Sequence, residues 1–163
     1  AASTQNNSTD ADNASLSAKD GVNAIINMSA ATGSSGAFKL TGGTGQDSLT
    51  GGAGADIISG GSEVDTIVGG GEADVITGGA GDDNLTGDAG NDTFHVDSGS
   101  DIITDLGGTA GGQSDVLIVY ATATANATNV VNFTALNTTQ NNSTDANNAV
   151  LTSKDGENNT IDV

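Results

Sequence analysis

Seven aspartates recur at intervals of nine residues: Asp47, Asp56, Asp65, Asp74, Asp83, Asp92 and Asp101. The first six each follow a glycine by five positions, at Gly42, Gly51, Gly60, Gly69, Gly78 and Gly87. Carboxylates repeated beside glycine-rich backbone offer one chemistry above others, all-oxygen coordination of a hard cation. If two nonapeptides complete one flattened coil, aspartates 18 residues apart stack over each other. Asp47, Asp65, Asp83 and Asp101 then line one edge, and Asp56, Asp74 and Asp92 the other. Unneutralised, such columns repel and the coil should not close. Ca²⁺, with flexible coordination by six to eight oxygens, suits them better than Mg²⁺, which demands a tight octahedron and holds its waters. Three gaps between stacked aspartates on one edge and two on the other predict about five ions.

The surrounding residues must supply turns and strands that hold these carboxylates in place. Each of the six nonapeptides from Gly42 to His95 carries Gly at position 1, usually Gly at 2 and often Gly at 4, so its first six residues form a turn. Positions 7 to 9 make a very short strand whose middle side chain points inward. That inward rank reads Leu40, Leu49, Ile58, Ile67, Ile76, Leu85, Phe94 and Ile103, which predicts two facing apolar ladders. Eight units share one register from Gly33 to Thr104, with irregular ends, as a stacked repeat requires. Phe38 replaces Asp in the first unit, and the last has lost its opening glycines. The expected fold is all-β, a parallel β-roll or β-solenoid with 18 residues per coil and β-rich flanks.

The pattern resembles the RTX, or hemolysin-type, calcium-binding repeat, whose consensus is Gly-Gly-x-Gly-x-Asp-x-U-x with U apolar. The resemblance spans Gly33 to Thr104. It implies a right-handed roll in an exported bacterial protein, often released by type I secretion. It also implies that Asp47, Asp56, Asp65, Asp74, Asp83, Asp92 and Asp101 are side-chain ligands, with backbone carbonyls from the turn glycines, among them Gly42, Gly51, Gly60, Gly69 and Gly78. Glu63 and Glu72 depart from the consensus by replacing Gly at position 4. Either their turns are locally altered or their carboxylates approach the ions. The flanks, including Ile102-Ile103-Thr-Asp-Leu-Gly-Gly and Val116-Leu-Ile-Val before Ala/Thr-rich sequence, are similar in composition to bacterial S-layer and related surface proteins.

Four segments follow: an Asn/Ser/Thr-rich β flank over 1–32, the roll over 33–104, a β-rich stretch over 105–137, and 138–163. Short strands are expected at Ser15–Ser17, Ala24–Met28, Asp115–Tyr120 and Asn132–Leu136. The last segment repeats the first at an offset of 135 residues, and 16 of 26 positions from Ser3 to Met28 are identical in the copy. This is either a duplicated flank or the start of a further module in a tandem array. We favour the array, and with it head-to-tail self-association. The opening Ala-Ala-Ser-Thr reads as that of a processed or excised piece of something longer.

Composition narrows the function further. The net charge is −18, with 21 acidic residues against Lys19, Lys39 and Lys154, which disfavours nucleic acid and anionic membranes and attracts cations. Cysteine is absent, so disulfides and thiolate metal sites are excluded, and no apolar run is long enough to insert into a bilayer. The single histidine, His95, falls on an outward position, and no Ser or Cys nucleophile constellation accompanies it, so catalysis is not expected. Asn-x-Ser/Thr triplets at Asn6, Asn7, Asn13, Asn27, Asn126, Asn132, Asn137, Asn141, Asn142 and Asn158 are candidate glycan sites. The expected function is an extracellular, cell-surface structural repeat protein. The rivals are a calcium-dependent secretion and folding module of an RTX enzyme or toxin, and an adhesive spacer. Ice binding is disfavoured, because the outward Thr rank has no matching second rank.

Overall fold

A computed structural model describes residues 4–6, 15–18, 20–31, 36–106, 115–119, 123–130 and 149–153. Among the described residues, fourteen strands form two sheets. The eight-stranded sheet contains β1 (Thr4–Asn6), β3 (Ala24–Asn27), β5 (Ser48–Thr50), β7 (Thr66–Gly71), β9 (Asn84–Ala89), β11 (Gly99–Ile103), β13 (Ala123–Val130) and β14 (Ala149–Ser153), in that order. The six-stranded sheet contains β2 (Ser15–Ser17), β4 (Lys39–Thr44), β6 (Ile57–Ser62), β8 (Val75–Ala80), β10 (Thr93–Val96) and β12 (Val116–Val119). From β1 to β13 the chain alternates between the sheets, and each strand pairs in parallel with the strand two further on. The result is a parallel β-solenoid.

In the central coils the register advances by 18 residues per turn. Leu40 pairs with Ile58, Ile58 with Ile76 and Ile76 with Phe94 in one sheet. Leu49, Ile67, Leu85 and Ile103 align likewise in the other. All eight side chains are buried in one cluster, and each adds about 1.5–3 kcal/mol relative to exposure. Strand alternation turns positions 7 and 9 outward, so Ile57 and Ile102 are exposed while their neighbours Ile58 and Ile103 are buried.

The coils at the two ends are longer. Ile26 pairs with Leu49 and Phe94 with Leu117 at a spacing of 23 residues, and Leu16 pairs with Leu40 and Ile103 with Ala127 at 24. Residues of both flanks therefore lie in the same two sheets as the nonapeptides. Met28, Phe38, Val96 and Leu106 join the core, filling the places where these longer coils meet the regular ones. The strands expected at 15–17, 24–28 and 115–120 are present as β2, β3 and β12. The strand expected at 132–136 lies outside the described residues, as do most of the candidate glycan asparagines. Among the described residues there is no helix, and so none long and apolar enough to cross a membrane.

Candidate metal site

The seven position-6 aspartates are all buried, none more than 3% exposed. Their carboxylates are held by the coil before. Asp65 Oδ1 accepts the Asp47 backbone N–H at 2.8 Å, Asp83 Oδ1 that of Asp65 at 2.8 Å, and Asp101 Oδ1 that of Asp83 at 3.0 Å. On the other edge Asp74 Oδ1 accepts from Asp56 at 2.7 Å and Asp92 Oδ1 from Asp74 at 2.9 Å. Two columns of carboxylates thus run along the solenoid, and every acid of the seven but Asp47 is bonded to the peptide 18 residues behind it.

The columns end where the repeat ends. Ala24 N–H donates to Asp47 Oδ1 at 2.6 Å, and Ala125 pairs with Asp101, so one column is closed by two buried alanines. Phe38 N–H donates to Asp56 Oδ1 at 2.7 Å, which places an apolar residue at the start of the second column. The far end of that column is Asp115, whose Oδ1 accepts the Asp92 N–H at 2.9 Å. Sequence periodicity missed Asp115 because it follows Asp92 by 23 residues. Its local signature, Asp115-Val116-Leu117 with Leu117 buried, is the same Asp-x-apolar unit and could have revealed it.

The second oxygen of each carboxylate decides the chemistry. Oδ2 of Asp47, Asp65, Asp74, Asp83 and Asp101 is buried without a hydrogen-bond partner. Asp56 Oδ2 differs in accepting the Gly52 N–H at 2.6 Å. The orphan oxygens of Asp47, Asp65, Asp74 and Asp83 point at the glycine that opens their own turn, and that of Asp101 faces Gly78. A Cβ built on Gly60 would stand 2.7 Å from the Gly78 carbonyl oxygen and closer still to Asp65 Oδ2. The same convergence of a carboxylate and a carbonyl oxygen occurs at Gly42, Gly51 and Gly69, and at Gly78 the two oxygens are Asp83 Oδ2 and Asp101 Oδ2. Position 1 is glycine because oxygen atoms crowd the space a side chain would fill.

Buried charge without a cation is costly. Burial pushes the Asp65 carboxyl up to about 7 against the Asp47 hydrogen bond, and the charges of Asp83, Asp47 and Glu63 add to the rise. Burial likewise raises Asp74 to about 8, Asp101 to about 7 and Asp92 to about 6. Asp47, Asp56 and Asp83 are raised for the same first reason. Among the described residues no group of three or more His, Cys, Asp or Glu side chains forms a metal site, and the oxygens that converge are one carboxylate with one main-chain carbonyl, or two carboxylates at Gly78. An oxygen-only set of that composition fits Ca²⁺, which takes carboxylate and carbonyl oxygens in irregular geometry.

Glu63 and Glu72 keep the turn's backbone without its glycine. Their φ angles, +74° and +64°, are left-handed, and their side chains are exposed. Glu63 acts on the column through its charge, raising Asp47 and Asp65. Asp88 has φ +67° where other units place Gly at position 2, and Asp105 steadies that turn by accepting the Gly87 and Asp88 N–H groups at 3.0 and 2.6 Å. His95 lies half-buried on the outer face of β10, away from both columns.

Residues 32–67 and 68–103 each match the family model of the RTX calcium-binding nonapeptide repeat (4 copies). This stretch of the chain consists of RTX repeats, and it is a calcium-binding repeat module. Comparison with curated proteins and with solved structures returns no match.

Proposed function

We propose, from the premise that residues 32–103 are RTX repeats, that the chain is a calcium-stapled structural module of an extracellular bacterial surface layer or fibre. The observation that carries the calcium part is the set of orphan oxygens, Oδ2 of Asp47, Asp65, Asp74, Asp83 and Asp101, buried in two columns. When bound, the metal supplies the positive charge these columns lack. The chain's part is to hold each carboxylate by its Oδ1 hydrogen bond, to keep Oδ2 of Asp47, Asp65, Asp74, Asp83 and Asp101 for the metal, and to exclude water. The convergences at Gly42, Gly60 and Gly78 on one edge and at Gly51 and Gly69 on the other support about five ions.

The structural role is supported by the parallel strands that end the two sheets among the described residues, β1 and β2 at one end and β12 and β14 at the other, together with the 135-residue echo. A head-to-tail contact between such ends generates a filament, since it does not close. Electron micrographs of the calcium-loaded protein should show fibres or sheets that disperse in chelator. Monomers alone at high protein concentration would defeat the assembly reading. The rival, a secretion and folding module of an RTX enzyme or toxin, shares the same metal chemistry. It is favoured if the parent gene encodes a catalytic or pore-forming domain, and disfavoured if the parent is built of 135-residue modules. Glycans on the Asn-x-Ser/Thr sites would suit a surface role, and an intact mass equal to that of the bare polypeptide would remove them.

A further inference from the structure

Asp56 differs from the next acid on its own edge. Its Oδ1 accepts the Phe38 N–H at 2.7 Å and its Oδ2 accepts the Gly52 N–H at 2.6 Å, so both oxygens are bonded. Asp74 Oδ1 accepts the Asp56 N–H at 2.7 Å, and its Oδ2 is buried without a partner. The places beside the two acids are otherwise built alike. A Cβ on Gly51 would meet Asp56 Oδ2 and the Gly69 carbonyl oxygen, as one on Gly69 would meet Asp74 Oδ2 and the Gly87 carbonyl oxygen. Oxygens converge at both, but at Gly51 one of them already holds a proton donor.

The cause lies where the repeat meets its flank. β7 and β9 run on through their turns to Gly71 and Ala89, and Gly70 pairs there with Asp88. β5, the strand before them in the same sheet, stops at Thr50, so Gly52 lies beyond its end. The Gly52 amide turns instead to the carboxylate of its own turn, four residues on. Phe38 completes the corner. It stands where an aspartate would open the second column, it belongs to the core cluster, and a Cβ built on Gly52 would lie 2.8 Å from its Cε2 atom.

An N–H that donates to a carboxylate oxygen weakens that oxygen as a metal ligand, and its positive end points at the place the ion would fill. Calcium at Gly51 must displace or share this bond. At Gly42, Gly60, Gly69 and Gly78 the facing Oδ2 atoms have no bond to give up. A hydrogen bond to a charged group corresponds to about ten-fold or more in affinity.

We infer that Gly51 is the weak calcium place of the roll: it fills last and empties first, and once the ion has left the Asp56–Gly52 bond holds that corner closed. The other four places form the class on which folding depends. The roll can then release one ion as calcium falls without coming apart. The inference rests on the calcium reading of the columns above.

The test starts from the calcium-loaded, ¹⁵N-labelled full chain at pH 8. Free calcium is lowered stepwise with EGTA, and the amide signals of Gly52 and Gly70, which hold the same place one coil apart, are followed by NMR alongside the circular dichroism. Gly52 should shift downfield, as its bond to Asp56 forms, at a free calcium about ten-fold or more above that at which Gly70 changes and the β-sheet signal is lost. At this first step the Phe38 and Ile57 amides, bonded to Asp56 Oδ1 and to the Phe38 carbonyl, should keep their protection from hydrogen exchange. Gly52 and Gly70 responding together with the loss of β-sheet signal overturns the inference and leaves the calcium reading standing. Loss of Phe38 and Ile57 protection at the first step does the same, because the corner then opens instead of emptying. Amides and a spectrum that ignore calcium overturn both.

Discussion

Asp65 Oδ1 accepts the backbone N–H of Asp47 at 2.8 Å, while Asp65 Oδ2, in the same buried carboxylate, has no partner. One oxygen is used to stack coils and the other is left for a cation. Asparagine can keep the first role without the second. Asp65→Asn should stabilise the metal-free roll, because a buried charge is removed, by about 1–3 kcal/mol. It should weaken calcium binding at the same time. Asp65→Ala, which loses both oxygens, should lower both quantities. The β-sheet signal kept in chelator and calcium titration of the pair of variants separate the two roles.

The metal-free roll should be an acid-stabilised protein. Its column carboxyls are raised, Asp74 to about 8, Asp65 and Asp101 to about 7 and Asp92 to about 6, against about 3.9 in the unfolded chain. The folded state therefore binds more protons between these limits. The stabilising effect is fully present below the unfolded value and is lost as pH rises through about 6 to 8. Thermal melts in chelator should show a β-sheet transition at pH 5 that is weakened or lost at pH 8. With calcium the sign reverses, because protons compete for the same oxygens.

Gly60 and Gly71 lie in neighbouring turns, yet only one has oxygens pressed against it. Gly60→Ala forces a Cβ onto Asp65 Oδ2 and the Gly78 carbonyl, and should cost about 1–3 kcal/mol along with calcium affinity. At Gly71 the nearest atoms to a new Cβ are Ala53 Cα and O, both at 3.4 Å, an ordinary contact distance. Gly71→Ala should stay within about 0.5 kcal/mol of the parent in denaturant unfolding.

Glu63 holds a left-handed φ of +74° that glycine adopts freely, and its charge presses on Asp47 and Asp65. Glu63→Gly should therefore stabilise the metal-free roll by about 1 kcal/mol. Calcium affinity measured by calorimetry then assigns the side chain. An unchanged affinity marks Glu63 as a bystander, and a lowered one as a ligand.

The regular coils could be read from the chain because position 6 and position 8 repeat without a slip. Asp47 to Asp101 and Leu40 to Ile103 occupy the seats their spacing predicts. The end coils could not be read in this way. Extra residues between Ala24 and Asp47 and between Asp92 and Asp115 break the nine-residue count, although the strands on either side still stack in register. Asp115 was hidden for that reason. Ala24 and Ala125 were hidden for another, since a small residue that replaces a carboxylate at the end of a column leaves no chemical signature. Which Asp oxygen bonds to the backbone and which is left over depends on coil-to-coil distance, and spacing alone does not carry it.

The roll should not keep its two columns of buried carboxylates together at neutral or alkaline pH without a divalent cation. Far-ultraviolet circular dichroism at pH 8 tests this most directly. In excess chelator the β-sheet signal should be absent or nearly so, and it should return on adding Ca²⁺ but not equimolar Mg²⁺. A full β-sheet spectrum in chelator at that pH would contradict it.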